Sequence, residues 1–282
     1  MTSSATALRS LAWRGVAALV RAVPALAGLG IEAEQVAQFD SKRMSHAVWR
    51  CAARTIRRVL TCAVSSCTDR LEETACFLQR VLAPVKPVVL TAAMRPATAW
   101  QSDGPQNLLD AVRVARLPNA YCVVAVLARQ VMGARDVRKV HLYRIDAFGP
   151  GDAGVIGHVE EGQLRQFRPW PQGEALGLGM LPADGASGWP QVEIVTSDVG
   201  ASGAVVRALR SIGVRGLVVA ATGNGTVHPD LEAQAHGMAV LRSARCRDGC
   251  VLAAAHDVPA SAGDLTPGKA RVELMLSLMR PV

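Results

Sequence analysis

Aromatic residues are scarce in this chain: two Tyr, four Phe and five Trp, 4% of 282 residues. So few rings argue against a nucleic-acid surface built on base stacking. No stretch of about 18 apolar residues occurs, so no membrane-spanning helix is expected. Cys-x-x-Cys is absent, and Cys62/Cys67 and Cys246/Cys250 lack His or further Cys at zinc spacing. No metal site is therefore read from the sequence. The seven Cys are odd in number and scattered, which fits buried or free thiols in a reducing compartment.

Hydrophobic residues, by contrast, make up 50% of the chain, with Ala, Val and Leu dominant. That is enough for a core in one large or two modest domains. The formal charge is +8. Its densest cluster, RTIRR at 54–58, carries no aromatics and reads as a solvated helix face rather than a phosphate track. The first thirty residues, ending PALAGLG, could pass for a weak signal peptide. Arg14 and Arg21 interrupt the apolar part, and GVAALVRAVPAL has helical spacing, so a surface helix is expected.

Short apolar runs alternate with amphipathic stretches. RVLTCAV, KPVVLTAA (86–93) and AYCVVAVLA (120–128) read as buried strands, separated by helices at 69–82 and from Pro105 onward. Residues 149–190 are rich in Gly and Pro. Beyond them QVEIVTS, GAVVRALRSIG, GLVVAATGNG, MAVLRSA and TPGKARVELMLSLM repeat the alternation. The expectation is an α/β chain of two domains: a larger N-terminal parallel-sheet domain over 1–172, a linker over 173–189 and a smaller α/β domain over 190–282.

In parallel sheets ligands bind beyond the carboxyl ends of the strands. Four polar segments follow strands here: SSCTD, AAMRPATAWQSDGP, ARDVRKVH and ATGNG. Within the first, Asp69 stands three residues before Glu72, an acidic capping box ahead of the helix. Taken alone, Thr68 and Asp69 therefore read as a helix cap. Asp103 likewise reads as an N-cap, and His141 and His228 as ordinary polar residues.

TDRLEETACFLQRV, KPVVLTAAMRPATAWQSDGPQNLLDAV, ARDVRKVH, GLVVAATGNG and LTPGKARVELML together resemble the bacterial asparaginase/glutaminase family, in order over most of the chain. The resemblance implies a homotetramer built as a dimer of dimers, with active sites between subunits. It implies hydrolysis of the side-chain amide of L-asparagine, in some members also L-glutamine, to the acid and ammonia, without metal or organic cofactor. No nucleic-acid or membrane partner is expected. The compartment expected is the cytoplasm, or the periplasm had a signal peptide been lost upstream.

The same resemblance carries roles to particular residues. Thr68 and Asp69 match the Thr-Asp of the family's HGTDTLEET segment, where the aspartate grips the substrate's α-amino group. Lys139 matches the lysine that completes the proton network. Ser41, in QFDSKRMSHAVW, matches the serine that helps hold the α-carboxylate. Asn224, in GNG, matches a residue that reaches the site from the partner subunit. The plainer alternatives are a cap for Thr68, Asp69 and Ser41, a solvated lysine for Lys139 and a turn for Asn224. A threonine hydroxyl needs a base to become a nucleophile, and a lysine serves as one only where its surroundings favour the neutral amine.

The chain departs from the family pattern in two places. It contains no TGGTI, the segment that supplies the family's nucleophile, and Ser66 and Cys67 stand where the family has His and Gly. The first strand and its lid are accordingly expected to be missing, with a start upstream as one explanation, leaving an exposed sheet edge and an open pocket. That expectation supports an alternative function: a catalytically impaired remnant that binds an amino acid without turnover.

Overall fold

A computed structural model describes residues 6–10, 15–21, 23–37, 43–59, 61–66, 68–183, 188–253 and 259–280. The chain divides into two compact units, Met1–Leu178 and Gly179–Val282.

The larger unit begins with β1 (Thr6–Ser10), α1 (Val16–Arg21), β2 (Ile31–Gln35), α2 (His46–Arg57) and β3 (Cys62–Ser65). It continues through α3 (Leu71–Leu82), β4 (Val88–Thr91), α4 (Gly104–Ala115) and β5 (Val123–Leu127). These five strands are parallel, in the order β5-β4-β3-β1-β2. β6 (Gln130–Gly133) turns back antiparallel beside β5. After the small ribbon of β7 (Arg138–Lys139) and β8 (Phe148–Gly149), β9 (Gly157–Glu160) and β10 (Gln163–Gln166) extend the sheet to eight strands.

β3, β4 and β5 are buried at every position. This is why their sequences CAVS, VVLT and VVAVL run apolar rather than alternating: helices cover both faces of a parallel sheet. On α4, Leu108, Ala111, Val112 and Ala115 share one core cluster with Ala63, Val89, Val124 and Val126. α2 and α3 are joined by Trp49, which stacks on Phe77 at 4.9 Å and donates from Nε1 to Thr74 Oγ1 at 2.9 Å. Burial of Phe77 alone stabilises by about 2–3 kcal/mol. Arg54, Arg57 and Arg58 face solvent, as the cluster reading expects.

Two expectations for the N-terminal segment need correction. The segment is not one surface helix, and the sheet does not lack a strand beside β3. TALRS forms β1, paired on one side with β2 and on the other with β3, with Ser10 opposite Ser65. A short polar strand flanked by two neighbours is held by their ladders, whatever its own propensity. The six-residue α1 follows from Val16, and Pro24 starts a separate turn.

The strand order reverses at β1. The chain runs from β1 outward to β2, then returns to β3 on the other side of β1 and continues away through β4 and β5. The crevice beyond the carboxyl ends of β1 and β3 is thus the topological switch point where such sheets hold ligands.

The smaller unit contains β11 (Val192–Thr196), α5 (Ala204–Ser211), β12 (Gly216–Ala221), α6 (Pro229–Ala235), β13 (Ala239–Ala244), β14 (Ala260–Ser261) and α7 (Pro267–Ser277). Its four strands are parallel in chain order. Val206, Leu217, Val219 and Leu231 form its core, and Thr266 caps α7 through Lys269 N–H. Among the described residues no helix is long and apolar enough to cross a membrane.

Candidate active site

β3 ends at Ser65, and Ser66 N–H donates to Thr91 O at 2.7 Å, fastening the outgoing loop to the end of β4. A single 3-10 turn, Thr68–Arg70, leads into α3. The helix starts one residue later than the capping-box reading expects: Arg70 is its N-cap, and no side chain caps it. Glu72, the other half of the expected box, reaches across instead and accepts from Lys139 N–H at 3.3 Å.

Lys139 arrives from a different part of the chain. After β6, Asp136 and Val137 N–H close a turn onto Gly133 O. A Cβ at Gly133 would lie 2.8 Å from Asp136 Oδ2 and 3.2 Å from Pro171 Cγ, so the turn requires glycine. Arg168 Nη2 pairs with Asp136 Oδ2 at 2.8 Å and holds that turn. The chain then enters β7, where Lys139 pairs with Phe148.

These two segments bring three side chains together. Lys139 Nζ donates to Asp69 Oδ1 at 3.2 Å and to Thr68 Oγ1 at 3.4 Å, and Thr68 Oγ1 donates to Asp69 Oδ1 at 3.4 Å. The Lys139 side chain is 25% exposed and that of Asp69 55%. A pair this wet contributes at most about 1 kcal/mol to stability. Its value is chemical: a hydroxyl stands between an acceptor and an amine, the minimum needed to move a hydroxyl proton. Such bonds are often long before substrate arrives and tighten in the complex. Beside them Ser66 Oγ is buried with no hydrogen-bond partner among the described residues. A buried hydroxyl left open marks where a water or a substrate atom can bond.

Of the other expected residues, Ser41 lies outside the described residues, as does Cys67. Asn224, in the smaller unit, spends its side-chain amide on Leu252: Nδ2 donates to Leu252 O at 3.1 Å and Oδ1 accepts from Leu252 N–H at 2.7 Å. His141 Nδ1 accepts from Tyr143 and Arg144 N–H, and His228 Nδ1 accepts from Asp230 N–H at the start of α6. Both histidines serve the local backbone. Asp103 does stand at the N-cap of α4, but its side chain makes no cap bond there. Its oxygens accept instead from Met94 and Arg95 N–H, after β4. Sequence reading missed Glu72 and Asn107 as site-supporting residues; the one available signal for Asn107 was its position four residues after Asp103 at a helix start.

Comparison with known proteins agrees with this architecture. Residues 2–172 match the family model for the asparaginase N-terminal domain, and residues 191–281 that for the glutaminase/asparaginase C-terminal domain. The chain is 32% identical to L-asparaginase 2 of Escherichia coli over 281 residues, covering 94% of this chain and 80% of that protein. It is 30% identical to the glutaminase-asparaginase of Acinetobacter glutaminasificans, covering 99% and 90%. The crystal structure of a probable cytoplasmic L-asparaginase from Campylobacter jejuni superposes with a TM-score of 0.88 at 31% identity, over 99% of this chain and 95% of that one. The chain therefore belongs to the asparaginase family.

Proposed function

We propose that this protein hydrolyses the side-chain amide of L-asparagine to L-aspartate and ammonia, with L-glutamine as the second substrate. The observation that carries this reading is the convergence of Thr68, Asp69 and Lys139 at the switch point of the larger sheet. It stands in a chain whose relatives are named L-asparaginase and glutaminase-asparaginase.

In this mechanism Thr68 supplies the hydroxyl. As its oxygen attacks the side-chain carbonyl carbon, its proton passes to Lys139 acting as the base, with Asp69 holding the arrangement. Collapse of the tetrahedral species breaks the C–N bond, and the leaving nitrogen takes the proton back from Lys139 and departs as ammonia. Water then hydrolyses the ester, restoring the hydroxyl and releasing the acid. Backbone N–H groups of the strand-end loops meet the developing oxyanion. Asp69 also binds the substrate's α-amino group and Ser41 its α-carboxylate, while Asn224 reaches the site from a neighbouring copy of the chain.

The assembly that goes with this is a dimer of dimers. Exposed Val199, Val205 and Ile212 give the smaller unit apolar surface suited to a subunit contact. The compartment is the cytoplasm, in keeping with the six described cysteines, which form no disulfide among the described residues. The rival reading, a remnant without turnover, rests on the absence of TGGTI, with the first strand expected to go with it; a strand, β1, does stand beside β3, and Thr68 takes the nucleophile's part in the proposed mechanism.

The test is direct. Purified protein is incubated with L-asparagine or L-glutamine, and ammonia and the acid are quantified together. Equimolar aspartate and ammonia from asparagine is the expected result. No release from either amide would overturn the proposal.

A further inference from the structure

Beside the Thr68 loop, the carboxyl ends of β4 and β5 are held by two side chains from the start of α4. Asp103, 8% exposed, accepts from Met94 N–H on Oδ2 at 2.9 Å and from Arg95 N–H on Oδ1 at 2.8 Å. Asn107, 2% exposed, donates from Nδ2 to Ala92 O at 2.9 Å and to Asp103 Oδ2 at 3.0 Å, while its Oδ1 accepts from Ala128 N–H at 3.0 Å. Apart from the bond by which the two side chains lock each other, each runs from the first turn of α4 to backbone just after β4 or β5.

What they hold is strained or crowded. Ala128 and Arg129 form the β5–β6 turn with φ of 47° and 65°, a region that favours glycine. A Cβ at Gly104 would stand 3.3 Å from Ala93 Cβ, so α4 begins tight against the loop after β4. That loop is one bond from the candidate site: Ser66 N–H, two residues before Thr68, donates to Thr91 O.

We infer that Asp103 and Asn107 are positioning residues for the catalytic loops. They act through residues 92–95 and the β4–β3 link to fix where Thr68 sits, and they touch neither substrate nor Thr68. The inference rests on the hydrolase reading above, and it goes beyond a capping role because the Asp103 side chain makes no cap bond and both side chains bond to backbone after β4 and β5 and to each other. A reacting hydroxyl misplaced by an ångström loses about 10²-fold in rate, so a pair that sets its neighbour's backbone has kinetic leverage.

The experiment compares Asp103→Asn with Val112→Ala, a destabilising substitution of a buried core residue further along α4. Asp103→Asn keeps one acceptor and turns a donor toward a backbone N–H. It is expected to lower kcat on L-asparagine by about 10²-fold, with KM changed far less. Val112→Ala is expected to lower Tm by as much or more and leave kcat per folded molecule unchanged. Hydrogen exchange at Ser66 and Met94 should accelerate in Asp103→Asn only. Equal kcat losses in both variants, or unchanged kcat in Asp103→Asn, would overturn the inference. If the wild-type protein hydrolyses neither amide, the functional reading fails and exchange alone judges the clamp. Faster exchange of Ser66 confined to Asp103→Asn would then support it, and equal exchange in both variants would overturn it. Should Asp103→Asn not fold, Asn107→Asp, which loses the donor to Ala92 O, takes its place; failure of both to fold would mean simple scaffolding and would overturn it too.

Discussion

Two polar networks lie side by side along the carboxyl edge of the same sheet, and they are built in opposite ways. The Thr68–Asp69–Lys139 group is half-wet, with contacts of 3.2–3.4 Å and a carboxylate 55% exposed. The Asp103–Asn107 group is dry, with bonds of 2.8–3.0 Å that all end on backbone or on each other. In a low-dielectric site a fully paired network is rigid, whereas an open one costs little to rearrange. The dry pair therefore reads as scaffold. The wet group has side-chain capacity left for a substrate, as does the unpaired hydroxyl of Ser66 next to it.

The largest effect separating the two should be on turnover. Lys139→Ala removes the amine that handles the Thr68 proton, and a loss of at least about 10³-fold in kcat is expected. Unfolding free energy should change by no more than about 1 kcal/mol, because the pair is exposed. Steady-state kinetics with urea unfolding of the same preparation checks both halves. A large stability loss would place Lys139 in the scaffold instead.

The converse is expected for Asn107→Leu. Buried Ala92 O and Asp103 Oδ2 and part-buried Ala128 N–H would lose their partner, a cost of about 1–3 kcal/mol for each buried group. Denaturant unfolding should therefore show a destabilisation of about 3 kcal/mol or more, several times that of Lys139→Ala. A loss below about 1 kcal/mol would erase the contrast between the networks.

The contrast also explains what the sequence could and could not reveal. β4 and β5 are legible because VVL and VVAVL are short apolar runs, the first entered from Pro87 and the second followed closely by Arg129, a local signal. β1 is not, because TALRS has no strand pattern and is set by pairing with β2 and β3, which lie outside any local window. Lys139 was reached only through family resemblance; nothing local ties it to a threonine 71 residues away. Asp103 stands at the N-cap of α4, as an acid before Gly-Pro at a helix start suggests, but its side-chain bonds go back to residues 94–95, which no local pattern reveals. Asn224 was offered both as a turn residue and as a substrate contact, and in the smaller unit taken by itself its amide closes onto Leu252.

A second buried carboxyl sharpens the comparison. Asp110, on α4, accepts from Gln106 Nε2 at 2.9 Å through Oδ1, but its Oδ2 is buried without a partner. Burial raises its pKa above the usual 3.8, partly offset by the Gln106 bond and by Arg113 and Arg129. The folded state thus favours the neutral carboxyl. Its contribution is fully present below pH 3.8 and is lost as the pH rises through the raised value, leaving a constant penalty at neutral pH. Asp110→Asn should therefore stabilise the fold at pH 7, with the gain shrinking as the pH falls toward 3.8. Urea unfolding across that range tests it; a pH-independent difference would contradict the assignment.

The smallest effect belongs to a pair with neither burial nor chemistry. Arg165 and Glu160 meet at 3.5 Å with both side chains more than half exposed. Glu160→Gln should shift unfolding free energy by less than about 1 kcal/mol and leave turnover unchanged. A larger shift would mean that exposure is a poor guide to the difference between the two networks.

The central claim is that the wet network is the working centre. The most direct measurement is ammonia release from L-asparagine by wild-type protein and by Thr68→Ala, each normalised to folded protein by circular dichroism. The account predicts steady release by the wild type and near-background release by Thr68→Ala at unchanged fold content. Release that continues undiminished in Thr68→Ala would contradict it.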